Sequence, residues 1–166
     1  MPTWRNWLDS VPDKDFEESD YFRHYMGLLN SERLNQILEK YDLEVNFYLH
    51  AKFQEYADTF KSISKRIHLI SFGEVAVNEM LMRCRMLITD YSSVCWDILY
   101  QDKPSLFYQF DIEKYNEAHG SYIDMETELW GDRCTEQEDL VHLIKDYAEN
   151  GFQEKQKYAE MRKEYF

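Results

Sequence analysis

The chain is short of positive charge. Its 166 residues contain 19 Lys and Arg against 32 Asp and Glu, which gives a formal net charge of −13. A surface this acidic repels phosphate backbones and anionic lipid headgroups, so the composition argues against nucleic acid as a partner and against direct docking on anionic lipid. An anionic ligand would therefore need a local site made of backbone N–H groups or a few cations.

Long apolar runs and cysteine motifs are missing as well. No run approaches the roughly 18 apolar residues of a transmembrane helix, and polar residues follow Met1 and Pro2 where a signal peptide would be apolar. The three cysteines, Cys84, Cys95 and Cys134, fit no zinc spacing. We expect Cys84 and Cys95 to be small core residues in a reducing, cytoplasmic setting.

Phosphate-binding glycine motifs are absent too. The sequence holds neither GxxxxGK[ST] nor GxGxxG, which excludes a P-loop and a dinucleotide fingerprint. It does hold 44% hydrophobic and 16% aromatic residues, enough for a core in one domain over residues 1–166.

Alternating segment types predict an α/β fold. β-Forming, apolar stretches predict strands over 43–50, 66–71, 86–89 and 105–109. Helices are predicted from Tyr21 onward, over 31–41 with Ser31 as N-cap, and over 51–60, 77–84, 94–101, 134–151 and 152–166. Thr135 and Glu138 form a capping-box pattern, and Gly151 is a helix stop. This order is typical of a Rossmann-like, mostly parallel sheet with helices on both faces.

The segment TDYSS, residues 89–93, lies between a predicted strand and a predicted helix. Open α/β sheets bind ligands at the carboxyl ends of their strands, and the first N–H groups of a helix attract phosphate. Asp90, Ser92 and Ser93 are therefore candidates for a phosphate site. Ordinary helix capping is the alternative, although two adjacent hydroxyls exceed what one cap needs.

Four other residues are weaker candidates. His50 ends a predicted strand at the same rim of the sheet, where it can contact phosphate or move a proton, although a structural histidine is the commoner case. Arg5, close to Thr3 in a loop, suits phosphate recognition but can equally be a surface residue. Asp124 belongs to an acidic stretch that is either a solvated face or a site for ligand hydroxyls.

The stretch MLITDYSSVCWDILYQDKPSLFYQFDIEKY, residues 86–115, resembles the signature of the CDP-glycerol glycerophosphotransferase family of teichoic acid and capsule biosynthesis. That family typically shows Thr-Asp-Tyr-Ser-Ser after a strand, then an apolar helix, Lys-Pro and an aromatic strand. MPTWR, VNEMLMRCRML and HGSYIDMETELWGD also resemble family sequence, so the similarity spans nearly the whole chain.

The resemblance implies a GT-B fold, of which this chain is the C-terminal, donor-binding half. The family moves glycerol phosphate or another polyol phosphate from a CDP-linked donor to a hydroxyl acceptor, and no cofactor or metal is implied. Ser92 and Ser93 would hold the donor pyrophosphate, while Asp90 would shape the turn or contact the donor. His50 would contact phosphate or assist transfer.

The resemblance also assigns roles to other residues, although this sequence differs from the family at several positions. Thr3 and Arg5 would lie on the facing loop, and Asp124 would lie near the transferred polyol. The sequence departs from the family where Ala51 follows His50 and Asp132 follows Gly131, two places where proline is usual. It departs again at His119, where many members have arginine.

The resemblance also implies a larger protein. A polymer or lipid-linked acceptor would bind through an N-terminal half outside this chain, so the isolated chain is expected to lack turnover. The full protein would act peripherally at the cytoplasmic face of the membrane. Two alternatives stay open from the residues, namely a GT-B glycosyltransferase that uses a nucleotide sugar and a non-catalytic nucleotide-binding module.

Overall fold

Short parallel strands form two sheets in the computed structural model, which describes residues 1–165. In one sheet β1 (Val45–Tyr48) pairs with β2 (Ile67–Ile70), with Val45 opposite Ile67. In the other, β4 (Ser105–Tyr108) lies between β3 (Leu87–Thr89) and β5 (Asp132–Cys134). All three pairings are parallel, which confirms the predicted α/β class.

Helices connect and cover these strands. They are α1 (Asp13–Glu17), α2 (Asp20–Leu29), α3 (Glu32–Lys40), α4 (Val77–Arg83), α5 (Val94–Tyr100), α6 (Ile112–Ala118), α7 (Gln137–Glu149) and α8 (Gln156–Tyr165). Two 3-10 segments, Asn6–Leu8 and Ala51–Thr59, complete the helical structure of the described residues.

β4 shows how the helices lie on both faces of the sheet. Its four side chains are all buried, and the three apolar ones alternate between two apolar clusters. Leu106 and Tyr108 belong to a large cluster built from the N-terminal helices and α7. Phe107 belongs to a second cluster with Ile98 of α5 and Trp130. A strand covered on both faces is typical of a parallel sheet.

Several predicted helix ends are confirmed. Ser31 caps α3, since its hydroxyl accepts a hydrogen bond from the Leu34 N–H. Gly151 follows α7 with a φ of 65°, and its N–H donates to the Ala148 carbonyl. The Phe152 N–H donates to the Tyr147 carbonyl, which completes the bonding pattern of a glycine-terminated helix.

Other boundaries differ from the prediction. The capping box at Thr135 and Glu138 is wrong because β5, which the sequence did not reveal, precedes the helix, and α7 begins at Gln137 with Glu136 as its N-cap residue. The helix predicted over residues 51–60 is a 3-10 helix that ends at Thr59. The last helix begins at Gln156, and its predicted end at residue 166 lies outside the described residues.

The cysteines are free thiols at different depths. Cys95 and Cys134 are buried, while Cys84 is half-buried, so the expected core position is confirmed for Cys95 and only partly for Cys84. No helix in residues 1–165 is both long enough and apolar enough to cross a membrane.

Gly131, the residue before β5, lies tightly against β4. A Cβ added there would lie 2.8 Å from the Phe107 ring and well inside contact distance of the Ser105 carbonyl oxygen. Both obstacles belong to β4, whose residues are buried and cannot move aside.

Gly131→Ala should therefore lower the free energy of unfolding by about 1–3 kcal/mol, the usual cost of overpacking a rigid site. Gly27→Ala is the matched control. Its added Cβ would meet only the flexible end of the Gln137 side chain, and alanine is favoured over glycine inside α2. Urea unfolding of both variants should show destabilisation for the first and no loss for the second. Equal losses would contradict the role given to Gly131.

Candidate functional site

Acidic residues follow two neighbouring strands at the carboxyl edge of the sheet. Asp90 comes directly after β3, and Asp111 lies three residues beyond the end of β4. Asp90 is fully buried and Asp111 is largely buried. Two such carboxylates side by side need a cation, and Arg5 of the N-terminal segment supplies it.

Asp90 is surrounded by donors. Its carboxylate accepts hydrogen bonds from the Thr3 N–H at 2.9 and 3.1 Å, from the Tyr91 N–H at 2.6 Å and from the Tyr25 hydroxyl at 3.0 Å. Arg5 adds an ion pair at 2.9 Å. Burial acts to raise the pKa of Asp90, but Arg5 and the Thr3 and Tyr91 donors outweigh it and hold the pKa below its usual value. The carboxylate is therefore charged and fixed.

Arg5 is fully buried, and each of its three guanidinium nitrogens makes a polar contact inside the protein. Its Nε and one terminal nitrogen donate to the two oxygens of Asp111 at 2.7 and 3.0 Å. The other terminal nitrogen donates to the Thr3 carbonyl at 2.7 Å and pairs with Asp90. The rings of Tyr21, Tyr91, Phe110 and Tyr115 lie within 4.9–5.9 Å of the guanidinium carbon. This is a bidentate, aromatic-lined site that suits arginine and not lysine.

Tyr91 completes the inner layer of the turn. Its hydroxyl donates to Asp111 at 2.9 Å, and its ring stacks on Tyr115 of α6 with centroids 3.7 Å apart. Asp90 and Tyr91 thus face the protein interior. A buried polar bond adds to this, because the Gln109 amide nitrogen donates to the Asp90 carbonyl at 3.2 Å.

Ser92 and Ser93 face the other way. Ser92 is half-buried and Ser93 is exposed. Ser93 occupies the residue before α5, yet it has helical dihedral angles and its hydroxyl makes no capping bond. The Ser92 hydroxyl accepts only a long contact of 3.5 Å from the Val94 N–H. Ordinary capping therefore does not account for both hydroxyls.

The two serines open onto a cleft of about 520 Å³. The turn forms one wall, residues 119–123 form the opposite wall, and Phe107 and Leu129 contribute apolar floor. Aromatic side chains of Trp96, Tyr115 and Tyr122 also line it. Among the described residues of this lining there is no lysine or arginine, and His119 is its single ionisable cation.

His50 lies two residues beyond the end of β1, so the strand ends earlier than predicted, and His50 does not line the cleft. Its Nδ1 accepts a hydrogen bond from the Lys52 N–H at 3.2 Å, which leaves Nε2 as the protonated nitrogen of the neutral ring. Burial first, and then the charge of Lys52, lower the pKa of His50, while Asp90 acts to raise it. The ring is therefore mostly neutral at pH 7.

The predicted site residues fall into three groups. Asp90, Ser92 and Ser93 meet at the cleft, and Thr3 and Arg5 lie directly behind it. Asp124 is exposed beyond the far wall, where it accepts a hydrogen bond from the Glu126 N–H that lowers its pKa. His50 and Asp124 are thus not brought into contact with the serines. Nowhere in residues 1–165 do three or more His, Cys, Asp or Glu side chains cluster as metal ligands.

The sequence argument did not assign Asp111, Tyr25, Tyr91 or Tyr115 to the site. One signal was present for Asp111, which comes after β4 much as Asp90 comes after β3. Neighbouring parallel strands would bring both acids to one edge and would demand a buried cation between them.

Asp90→Asn should lower the free energy of unfolding by about 3–5 kcal/mol, because it removes one partner from a buried ion pair. Asp20→Asn is the control, since Asp20 pairs with Arg23 on the exposed surface of α2 and such pairs contribute about 0–1 kcal/mol. Chemical denaturation at pH 7 measures both, and a loss below about 1 kcal/mol for Asp90→Asn would contradict the structural role of the pair.

The difference in stability between the parent chain and Asp90→Asn should depend on pH. The folded-state pKa of Asp90 is depressed, so its stabilisation is complete above the unfolded-state value of about 3.9 and is lost as pH falls through the folded-state pKa. The stability gap between the parent chain and Asp90→Asn should therefore narrow below about pH 4. A gap that stays constant or widens in acid would show that ionisation of Asp90 is not the stabilising feature.

Comparison with known proteins adds family evidence to this geometry. A family model described as CDP-glycerol:poly(glycerophosphate) glycerophosphotransferase matches residues 1–166. The minor teichoic acid biosynthesis protein GgaB of Bacillus subtilis (strain 168) is 28% identical across 100% of this chain and 19% of its own length. A teichoic acid glycerol-phosphate primase of the same strain is 33% identical across 67% of this chain and 28% of its own length.

A solved structure shares the fold. The wall teichoic acid polymerase TagF superposes with a TM-score of 0.70 and 24% identity, over 99% of this chain and 36% of that one. This likeness confirms a GT-B-like fold. The chain spans only about a fifth to a third of the length of the curated relatives named above. Since the family model covers every residue, the chain belongs to the CDP-glycerol:poly(glycerophosphate) glycerophosphotransferase family.

Proposed function

We propose that this chain is the donor-binding half of a transferase that moves glycerol phosphate, or another polyol phosphate, from a CDP-linked donor to a hydroxyl acceptor. The product is a teichoic acid or capsule polymer. Relatives named as a glycerol-phosphate primase, a poly(glycerol phosphate) polymerase and a poly(ribitol-phosphate) polymerase support the reaction class.

One observation carries the proposal. Two uncommitted hydroxyls, those of Ser92 and Ser93, stand at the carboxyl end of β3 and open onto a cleft of about 520 Å³. Crevices at strand ends are where open α/β sheets bind nucleotides. The volume and the aromatic lining suit a nucleotide, whose base can stack on an aromatic ring such as Tyr115 or Trp96.

In the proposed complex the serine hydroxyls donate to the donor pyrophosphate. Hydrogen bonds from preorganised donors stabilise the negative charge that grows on the leaving CMP. Transfer proceeds by in-line displacement, in which the acceptor hydroxyl attacks the phosphorus of the polyol phosphate and the bond to CMP breaks. Catalysis then rests mostly on positioning and electrostatics.

The buried residues act as supports in this scheme. Asp90 fixes the turn that presents Ser92 and Ser93, and Arg5 and Thr3 hold Asp90. We assign them a positioning role, because the guanidinium of Arg5 is fully used inside the protein. His50 has a protonated Nε2 available to donate to a phosphate oxygen or relay a proton, and Asp124 is proposed to approach the transferred polyol.

The main binding site for the acceptor lies beyond this chain in the proposal. A polymer or lipid-linked acceptor would be bound by an N-terminal half, and the full protein would work peripherally at the cytoplasmic face of the membrane. TagF structures soaked with CDPG support the choice of a CDP-linked donor within the family.

Ser93→Ala should weaken binding of CDP-glycerol without unfolding the chain. A lost hydrogen bond to a charged group is worth about 1.5–3 kcal/mol, so Kd should rise about tenfold or more. Titration calorimetry gives Kd, and circular dichroism checks the fold. Ser71→Ala is the matched control, since Ser71 is an exposed serine just after β2 and outside the cleft. Unchanged affinity in Ser93→Ala would remove the assignment.

Donor identity is tested on the parent chain. CDP-glycerol and CDP-ribitol should each bind more tightly than a UDP-sugar at equal ionic strength, because the proposal requires a cytidine diphosphate linked to a polyol. Preference for the UDP-sugar would instead favour a nucleotide-sugar glycosyltransferase. Binding of CMP with no gain from the polyol phosphate would favour a nucleotide-binding module.

A further inference from the structure

Two lysines beside the cleft lack acidic partners. Lys52 and Lys114 are exposed, and neither forms an ion pair with a carboxylate in the described part of the chain. Each packs on a tryptophan instead. The Lys52 Nζ lies 3.6 Å from the centroid of the Trp4 ring, and the Lys114 Nζ lies 4.8 Å from that of Trp7.

His119 joins these two pairs. Its ring centroid lies 6.1 Å from Trp4 and 6.3 Å from Trp7. The result is one surface cluster of three nitrogen-bearing, potentially cationic side chains interleaved with two indole rings. We call it the cationic rim, and it consists of Trp4, Trp7, Lys52, Lys114 and His119.

The rim is held at a fixed position relative to the serine turn. Tyr91 of the turn stacks on Tyr115 at 3.7 Å, and Tyr115 contacts His119 at 4.9 Å between ring centroids. His119 itself lines the cleft, whereas Trp4, Trp7, Lys52 and Lys114 do not. The rim therefore begins where the cleft ends and continues away from the serines.

Charge explains why such a cluster matters. The chain carries a net charge of −13, so a polyanion is repelled by most of its surface. α6 itself carries Glu113 and Glu117, yet neither is paired with Lys114. Lysines seated on indole rings lose little freedom when they meet a phosphate, and their charges remain uncompensated by the protein.

We propose that the cationic rim is a subsite for a phosphodiester of a polyol-phosphate chain, the acceptor that must reach the donor in the cleft. This inference rests on the proposed function. The lysines neutralise phosphodiester charge, and the tryptophan rings pack against the polyol carbons between phosphates. The subsite is separate from the serines that bind the donor.

The test is binding of a short synthetic poly(glycerol phosphate) to the 166-residue chain, measured at low salt. The double variant Lys52→Gln/Lys114→Gln should bind this polymer about tenfold more weakly, since two exposed charge contacts of about threefold each are lost. The affinity of the double variant for the polymer should also fall less steeply as the salt concentration rises. Uncharged polyglycerol of equal length should bind neither protein.

A charge-matched control separates a local site from general attraction. Lys61→Gln/Lys65→Gln removes the same charge from exposed lysines outside the rim and should leave polymer binding unchanged. An equal loss in this control would overturn the subsite. Unchanged polymer affinity in the rim variant would overturn it as well.

Donor binding distinguishes the two proposals. Lys52→Gln/Lys114→Gln should keep the parent affinity for CDP-glycerol, which depends on Ser93. If the rim variant lost donor affinity and kept polymer affinity, the rim would belong to the donor site and the inference would be wrong. If the parent chain bound the polymer but not CDP-glycerol, the proposed function would be wrong, while the assignment of the cationic rim as a polymer-binding subsite would be kept.

Discussion

The buried guanidinium of Arg5 is the interaction on which the candidate site depends. It holds the carboxylates that follow β3 and β4, and it ties both to the N-terminal segment. Two acids buried at one sheet edge would repel each other and lack solvation without it. With Arg5 in place, the two carboxylates form a rigid support in which every charge has a partner. Strand ends that would otherwise be loose loops are thereby fixed relative to one another.

This support separates the TDYSS turn into two residues that belong to the fold and two that are open to a ligand. Asp90 and Tyr91 face inward and are occupied by the fold, while Ser92 and Ser93 face outward and keep free hydroxyls. A site built in this way exposes neutral hydrogen-bond donors and keeps its strong charges out of reach. That arrangement fits the proposed anionic ligand, because the cleft lining offers hydroxyl donors and, among its described residues, no lysine or arginine.

Much of the fold could be predicted from the sequence because its signals are local. Alternation of apolar strands and helices predicted the parallel α/β class. Ser31 marked the start of a helix through its side-chain hydroxyl, and Gly151 marked the end of another because it has no side chain. β5 was missed because three residues, two of them charged, show no strand pattern. Because β5 was not predicted, the predicted start of α7 was wrong as well.

The site was predictable in position but not in its internal arrangement. Asp90, Ser92 and Ser93, which were selected by the rule that ligands bind at strand ends, line one cleft, and their role in binding stays a prediction. The burial of Arg5 was not predictable, because an isolated arginine in a loop looks like a surface residue until its two acidic partners are known. His50 and Asp124 do not line the cleft, and a sequence alone cannot give the distances between segments that are far apart along the chain.

The contacts that set the turn also have a consequence for how the chain folds. Thr3 meets Asp90 across 87 positions of sequence, and Arg5 meets Asp111 across 106. Such distant contacts close large loops and form late, whereas β3, β4 and the helix between them can assemble locally. A folding intermediate with those strands paired would hold two unneutralised acids and no ordered turn. The arrangement of the turn therefore depends on Thr3 and Arg5, which must dock onto the edge of the sheet before its two acids are neutralised.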